Sequence, residues 1–145
     1  MGFVERYASD AFSVVEHPMA PGIIGAPLHT HSREDEFSYI VTGTIQVQLG
    51  QRVLTLGPRD VIWKPRGVAH AFWNASSEPA LVLELIIPGG FERYFKELVA
   101  LAHASGGGPP DRSLMVEVQR RYGLEMDLAS IPVLMEKYGV RPPRM

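Results

Sequence analysis

The chain has 145 residues, of which 46% are hydrophobic and 21% charged, a composition typical of one globular domain. Its formal net charge is -2, so it lacks the basic excess expected of a protein that binds nucleic acid. There is no cysteine, which excludes disulfides and thiolate metal ligands. Imidazole, carboxylate and water remain as the groups that could hold a metal.

Nothing in the sequence predicts a membrane association. No run reaches the roughly 18 apolar residues that a membrane-spanning helix needs. The first residues carry charges early and lack the apolar stretch of a signal peptide. We therefore expect a cytoplasmic protein with no membrane partner and no nucleic-acid partner.

The first part of the chain contains short strand signals separated by glycine and proline. Residues 44–49 alternate between polar and apolar side chains, and a Gly-Gln turn leads into a hairpin partner at residues 53–56. Residues 61–63 predict a further strand. Residues 80–87 are almost wholly apolar, which is typical of a strand buried on both faces. Short strands at this spacing indicate a sandwich or barrel, so we expect an all-β fold here.

The pattern becomes helical after residue 90. Apolar residues recur at three- and four-residue steps and predict a first helix: Phe91, Tyr94, Phe95, Leu98 and Leu101. Residues 106–110 form a glycine- and proline-rich break, and Asp111 is a suitable N-cap for a second helix. A last short helix is expected over residues 132–138. The fold class is therefore all-β with C-terminal helices.

Histidines and acidic residues in the first part of the chain have the spacing of metal ligands. His29 and His31 lie two apart, so on a strand they share a face with Cα atoms about 6.5 Å apart and can converge on one ion. Alone, this pair is as compatible with two surface histidines. Glu36 opens an apolar run in which a buried carboxylate needs a partner or a metal, and we prefer it to Glu34 and Asp35.

His70 is the fourth candidate ligand. Its apolar neighbours predict an interior position, where a lone histidine is more often simply hydrogen-bonded. Its combination with the other three candidates favours a metal ligand instead. His17 and His103 lie outside this pattern, and we interpret them as surface residues.

Two spaced motifs contain these candidates. The first reads His29-x-His31, four residues, Glu36, six residues, Gly43. The second reads Pro65-x-Gly67, two residues, His70, three residues, Asn74. Together they resemble the two motifs of the cupins. The chain departs from the cupin pattern at Ile23 and Arg59, where the family usually has glycine.

The resemblance implies a double-stranded β-helix, or jelly-roll barrel, of six strands in two packed antiparallel sheets. The barrel would occupy residues 1–90. Residues 91–145 would form a C-terminal helical extension that packs on the barrel or on a dimer partner. This tail resembles that of small cupins described as similar to quercetin dioxygenases.

The resemblance also implies a cofactor. His29, His31, Glu36 and His70 would hold one divalent transition metal near one mouth of the barrel. Neutral imidazoles and a carboxylate accept Fe, Mn, Ni, Cu or Zn, so the sequence does not select among them. Glu36 would also be the catalytic residue that accepts a substrate proton.

Three functions are consistent with such a site. The first is a dioxygenase acting on a small aromatic or 1,3-dicarbonyl substrate, in a pocket for which four aromatic residues are candidates, about half of them pointing inward: Tyr39, Trp63, Phe72 and Trp73. The second is a non-redox isomerase or lyase. It requires an additional base, whereas the sequence predicts no further histidine inside the barrel. The third is a non-catalytic domain that binds or senses a small molecule.

Two further expectations concern charge and assembly. Arg33, Lys64 and Arg66 are the cations near the motifs, and we expect all three to be solvated. A small barrel leaves strand edges and an apolar sheet face to cover, so we expect a homodimer. Residues 81–87 and the helical tail are the candidate interfaces.

Overall fold

The computed structural model of the protein describes residues 3–143, and these contain ten β-strands and three α-helices. In chain order the strands are β1 (Val4–Ala8), β2 (Ser13–Met19), β3 (Ile23–His31), β4 (Asp35–Thr42), β5 (Ile45–Leu49), β6 (Arg52–Leu56), β7 (Val61–Lys64), β8 (His70–Asn74), β9 (Ala80–Ile87) and β10 (Leu124–Met126). The helices are α1 (Glu92–Ala104), α2 (Arg112–Arg121) and α3 (Ser130–Tyr138). No helix in this part of the chain is long and apolar enough to cross a membrane.

The strands form two five-stranded antiparallel sheets. The first has the order β1-β2-β9-β4-β7 and the second the order β10-β3-β8-β5-β6. The structure therefore confirms an all-β fold with C-terminal helices and two packed sheets. The expected number of six strands is wrong, because each sheet carries additional strands that the motifs do not predict.

Alternating side chains build the core between the sheets. In β9 the even-numbered residues are buried and the odd-numbered ones only half-buried, so this strand is not fully buried on both faces as we expected. Inward residues of the first sheet, such as Ile40 and Val82, pack in one cluster with Val47 and Phe72 of the second. Their burial contributes about 25 cal/mol for each Å² of apolar surface removed from water.

Tight turns connect the strands at positive-φ residues. The predicted hairpin is confirmed, since β5 pairs with β6 and Gly50 turns between them with a φ of 60°. Gly43 has a φ of 79°, and a Cβ there would lie 2.6 Å from the Pro79 carbonyl oxygen, so only glycine fits. Arg59 adopts a φ of 74°, which explains why the cupin pattern usually has glycine at this position.

The tail confirms the three predicted helices. The Asp111 side chain accepts hydrogen bonds from the backbone N–H groups of Ser113 and Leu114, which caps α2 as expected. Gly139 ends α3 in the left-handed conformation. Aromatic and aliphatic side chains of α1 pack with Val15 and Ile86 of the first sheet.

One tail element was not predicted, the short strand β10 between α2 and α3. It extends the second sheet by pairing with the end of β3, where Leu124 lies opposite His31 and Met126 opposite His29. The tail is therefore not purely helical. Its strand lies beside the segment of β3 that carries two candidate metal ligands.

The outward side of the first sheet is apolar. Phe37 lies opposite Trp63 and Tyr39 opposite Val61, and β9 continues these rows with leucines. We call the following residues the outer apolar face: Phe37, Tyr39, Val61, Trp63, Leu83 and Leu85. Val61 is 51% and Trp63 47% exposed, so the structure leaves this face open to solvent.

Candidate metal centre

The structure brings together the four residues that the sequence singled out. His29, His31, Glu36 and His70 are all buried, and one ligand atom from each lies within 4.8 Å of the others. The ring centroids of His29 and His70 are 4.2 Å apart, and those of His29 and His31 are 5.0 Å apart. Convergence of this kind is compatible with a divalent metal ion between the four side chains.

Strand register explains the convergence. His29 and His31 share the inward face of β3, and His70 at the start of β8 lies directly opposite His29. Glu36 comes from β4 of the other sheet, so the four side chains meet across the space between the sheets. The cluster therefore depends on the packing of the two sheets against each other.

The neighbouring acidic residues do not join the cluster as closely. Asp35 faces outward and forms an ion pair with Arg66 at 3.1 Å. Glu34 is buried, and its Oε1 lies 3.5 Å from Nδ1 of His31. The geometry thus favours Glu36 over Glu34 and Asp35 as the carboxylate of the site.

The hydrogen bonding of the histidines fits a metal. Nδ1 of His29 lies 2.7 Å from the Pro27 carbonyl oxygen, and donation there leaves the Nε2 lone pair free to bind an ion. Both ring nitrogens of His70 are buried without a hydrogen bond among the described residues. An unsatisfied buried polar group is costly, and a bound cation would satisfy it.

The electrostatics of the cluster favour deprotonated ligands at His29 and His70. Burial, followed by the charges of the neighbouring histidines, holds the pKa of His29 well below its usual value. Burial and then the Lys64 charge lower the pKa of His70. Burial opposes a charged His31, but the Glu36 and Glu34 carboxylates outweigh it and raise the pKa of His31 to about 9. A metal ion must therefore displace a proton from His31.

A buried lysine lies behind the cluster, contrary to the expectation that Lys64 is solvated. Lys64 is only 2% exposed, and its Nζ donates to Glu36 Oε2 and to Glu84 Oε1, each at 3.0 Å. It lies on the inward face of β7, opposite Glu36 in the register. The other two cations, Arg33 and Arg66, are exposed as expected.

This network determines the charges of the two carboxylates. Burial alone would favour neutral Glu36, but the charges of Lys64 and His31 hold its pKa well below the usual value. Burial and then the Glu36 charge raise the pKa of Glu84 to about 8. Burial disfavours the charge on Lys64, yet the carboxylates of Glu84 and Glu36 raise its pKa. Glu36 is therefore the ionised carboxylate of the pair.

The expectation that His17 is a surface residue is wrong. His17 is 5% exposed and lies on the inward face of β2, with its Nε2 3.8 Å from Glu84 Oε2. Its ring packs against those of Phe72 and Phe95, with centroids 5.7 and 5.4 Å away. The sequence did contain an indication of this burial. His17 lies two residues from Val15 and two from Met19, so it shares the strand face of these buried apolar residues. His103 is exposed, as expected.

A cavity of about 250 Å³ opens onto the cluster. Its polar wall consists of His17, His29, His31, Glu36, Glu84, Tyr94 and Gln119. Of the four aromatic residues considered for the pocket, only Phe72 lines it. Trp73 points away and donates to Gln46, while Tyr39 and Trp63 belong to the outer apolar face.

The tail supplies much of the remaining wall, which the sequence did not predict. Its contributions are Phe91, Tyr94, Phe95, Leu98, Met115, Gln119, Leu124, Met126, Leu128 and Ile131. The ring of Phe91 lies 4.6 Å from that of His31, so the tail touches the candidate ligands directly. The helical repeat in the sequence indicated a buried face but not what it covers.

Residues 16–86 match the sequence profile of a protein family described as the cupin domain. The chain is a cupin-domain protein. The matched region contains both motifs and all four candidate ligands. A search of the curated proteins finds no significant match.

Several solved structures share the fold of this cupin-domain protein. The protein TT1209 from Thermus thermophilus has 26% identity and a TM-score of 0.58, over 61% of this chain and 83% of that one. A sugar phosphate isomerase of the cupin superfamily from Silicibacter pomeroyi has 26% identity and a TM-score of 0.51, and the match covers 53% of this chain and 50% of that one. The DMSP lyase DddQ from Ruegeria pomeroyi has 25% identity and a TM-score of 0.53, and the match covers 59% of this chain and 46% of that one.

The first prediction concerns metal content. We expect the purified protein to hold close to one transition metal ion per chain, and His29→Ala, His31→Ala and His70→Ala each to lose most of it. His103→Ala, on the exposed histidine, should retain the full content. Elemental analysis after supplementation with Fe, Mn, Ni, Cu and Zn measures this. Metal content should fall at acid pH, because protons compete for the ligands. A wild-type protein that remains metal-free would contradict the site.

The second prediction concerns Lys64. Lys64→Met leaves the ionised Glu36 and the neighbouring Glu84 carboxyl group buried without their cation, so we expect a loss of about 3–5 kcal/mol in the free energy of unfolding. Lys96→Met is the matched control, because it breaks an exposed pair with Glu5 and should cost less than about 1 kcal/mol. Denaturant titration measures both. Adding Glu36→Gln to Lys64→Met removes the unpaired charge and should restore part of the loss. Equal losses in Lys64→Met and Lys96→Met would contradict the role of Lys64.

Proposed function

We propose that this cupin-domain protein is a metal-dependent enzyme that transfers a proton on a small substrate, in the manner of an isomerase or lyase. The observation that carries the proposal is the buried pair of His17 and Glu84, which lines the same cavity as His29, His31 and Glu36. An isomerase or lyase needs such an additional acid–base group. A divalent ion held by the four ligands would supply a Lewis acid that polarises a substrate oxygen.

His17 is the residue we assign to proton transfer. Imidazole changes its charge near neutral pH, so a positioned histidine is suited to both acid and base roles. Glu84 Oε2 lies 3.8 Å from His17 Nε2 and would orient the imidazole. Ser38 Oγ and Lys64 Nζ donate to Glu84, which would keep its carboxyl group in place.

Glu36 is better suited to binding the metal than to accepting a substrate proton. Its Oε2 accepts a hydrogen bond from Lys64, and its Oε1 lies 2.6 Å from Nε2 of His31. Oε2 is therefore held by Lys64, while Oε1 is directed at a histidine of the candidate ligand set. The sequence suggested Glu36 as the catalytic residue, whereas this proposal assigns that role to His17. The names of two structural neighbours, a lyase and an isomerase, support this class by analogy.

A dioxygenase is the second candidate function. The aromatic rings of Phe72, Phe91 and Phe95 around the cavity favour a small aromatic or 1,3-dicarbonyl substrate. This function requires Fe, Mn, Ni or Cu, because Zn has no redox chemistry. The dioxygenase would be favoured if the Fe, Mn, Ni or Cu form of the protein consumed oxygen with a catechol or 1,3-diketone and the Zn form did not. Ligand binding without turnover in any form would favour a sensing domain.

The third prediction tests proton transfer. The zinc-loaded protein, incubated in D₂O with a panel of small aromatic and aliphatic ketones and hydroxyketones, should incorporate deuterium beside a carbonyl. His17→Asn should slow the exchange by about 100-fold or more, because general acid–base catalysis contributes factors of that size. NMR measures the exchange, and elemental analysis should show an unchanged metal content.

His103→Asn is the matched control for this prediction, since it makes the same substitution at an exposed histidine. It should exchange deuterium at the wild-type rate. Equal rates in His17→Asn and wild type would contradict the assignment of His17. Oxygen consumption without any deuterium exchange would favour the dioxygenase instead.

We also propose that the protein is a homodimer that buries the outer apolar face. Two copies of one sheet face related by a two-fold axis make a self-complementary interface. Val61 and Trp63 lie on β7, an edge strand, so the same contact would cover an open sheet edge. Large exposed aromatic side chains are typical of the centre of such interfaces.

The fourth prediction tests this interface. Trp63→Glu should convert a wild-type dimer to a monomer, because it places a charge at the centre of an apolar contact. Val133→Glu is the control, since Val133 is 60% exposed on α3, outside the outer apolar face. Light scattering at micromolar concentration measures the mass. A monomeric wild type, or a Trp63→Glu dimer, would contradict the proposal.

A further inference from the structure

Two polar side chains of the tail form a second polar region in the wall of the cavity. Tyr94 of α1 is only 3% exposed, and the side chain of Gln119 on α2 is close enough to influence its hydroxyl group. Both residues line the cavity that His29, His31 and Glu36 also line. Burial raises the pKa of Tyr94 to about 12, so its hydroxyl group is neutral in the physiological range.

This pair lies apart from the metal cluster. The ring of Phe91 lies 4.6 Å from that of His31 and 5.1 Å from that of Tyr94, so Phe91 contacts both. A ligand atom near His31 and one near Tyr94 would thus belong to opposite ends of the same small molecule. The wall around the Tyr94 end is otherwise apolar, with Leu98 and Met115.

The cavity offers no counter-ion at the Tyr94 end. Within residues 3–143 its wall contains neither lysine nor arginine. Lys64 is buried behind the wall, where its Nζ donates to Glu36 and Glu84. A carboxylate or phosphate placed beside Tyr94 would lose its water without gaining a cation, which is strongly unfavourable.

We infer that Tyr94 and Gln119 are specificity-determining residues that bind an uncharged polar group, such as an amide or hydroxyl, at the end of the substrate remote from the four candidate ligands. The amide and phenol groups both donate and accept hydrogen bonds, so they match a neutral partner. Substrates with an anionic group at that end are rejected. The inference rests on the proposed function in one respect, since it places the substrate in the same cavity.

Two isosteric probes test this inference, 3,4-dihydroxybenzamide and 3,4-dihydroxybenzoate. They share a catechol ring and differ only in whether the group at the other end is neutral or charged. Calorimetric titration of the full zinc-loaded chain should show that the amide binds at least about 100-fold more tightly, since an unpaired polar group in a closed site is rejected by that factor or more. Equal binding, tighter binding of the benzoate, or binding of neither probe would overturn the inference.

Variants at Gln119 extend the test. Gln119→Lys supplies the missing cation beside Tyr94 and should reverse the preference in favour of the benzoate, because charge-assisted hydrogen bonds are the stronger ones. Gln51→Lys makes the same substitution in the exposed turn between β5 and β6, and should leave the preference unchanged. Equal preferences in Gln119→Lys and wild type would overturn the inference.

Two variants without an added charge test the inference even if Gln119→Lys does not fold. Gln119→Leu and Tyr94→Phe should each weaken amide binding by about 10-fold without improving benzoate binding, as expected from the loss of one hydrogen bond. Thermal unfolding confirms that they are folded, and unchanged amide affinity in both would overturn the inference. None of these results depends on deuterium exchange, so a failure here is distinguishable from a failure of the proposed proton transfer.

Discussion

The buried ion pairs of Lys64 with Glu36 and Glu84 are the interaction on which the site depends. A buried carboxylate is unfavourable unless it is paired, and here one ammonium group serves two carboxylates at 3.0 Å each. The pairing follows from register, because Lys64 lies directly opposite Glu36 on the neighbouring strand. The cluster of candidate ligands therefore requires a correctly paired first sheet as well as its own two motifs.

The same interaction shapes the chemistry of the cluster. Lys64 donates to Oε2 of Glu36, which also lies 3.5 Å from Nε2 of His70, while Oε1 lies 2.6 Å from Nε2 of His31. A carboxylate that shares its charge with a cation is a weaker donor, and such partners behind a ligand tune the ion that the ligand holds. On the far side of Lys64, Glu84 links the cluster to His17, so metal binding and proton transfer would share one network of buried polar contacts.

The sequence predicted the parts of the site that local spacing determines. His29 and His31 share a strand face because side chains alternate, and the two cupin motifs added Glu36 and His70. His17, Lys64 and Glu84 were missed or misplaced, because none of them belongs to a spaced motif of its own. Only the pairing of distant strands reveals that they face one another. The strand β10 was missed because its three residues carry no periodic signal of their own.

The tail was the least predictable part for function, although its helices were predicted well. An amphipathic repeat indicates which face of a helix is buried but not against what. Here that face covers the mouth of the barrel, where Phe91 touches His31 and β10 pairs with the strand that carries two candidate ligands. In the proposed function the barrel would supply the reactive groups, and the tail would supply the wall that contacts the rest of the substrate. Substitutions in the tail can change the substrate while the ligands stay the same, which is how one fold serves different reactions.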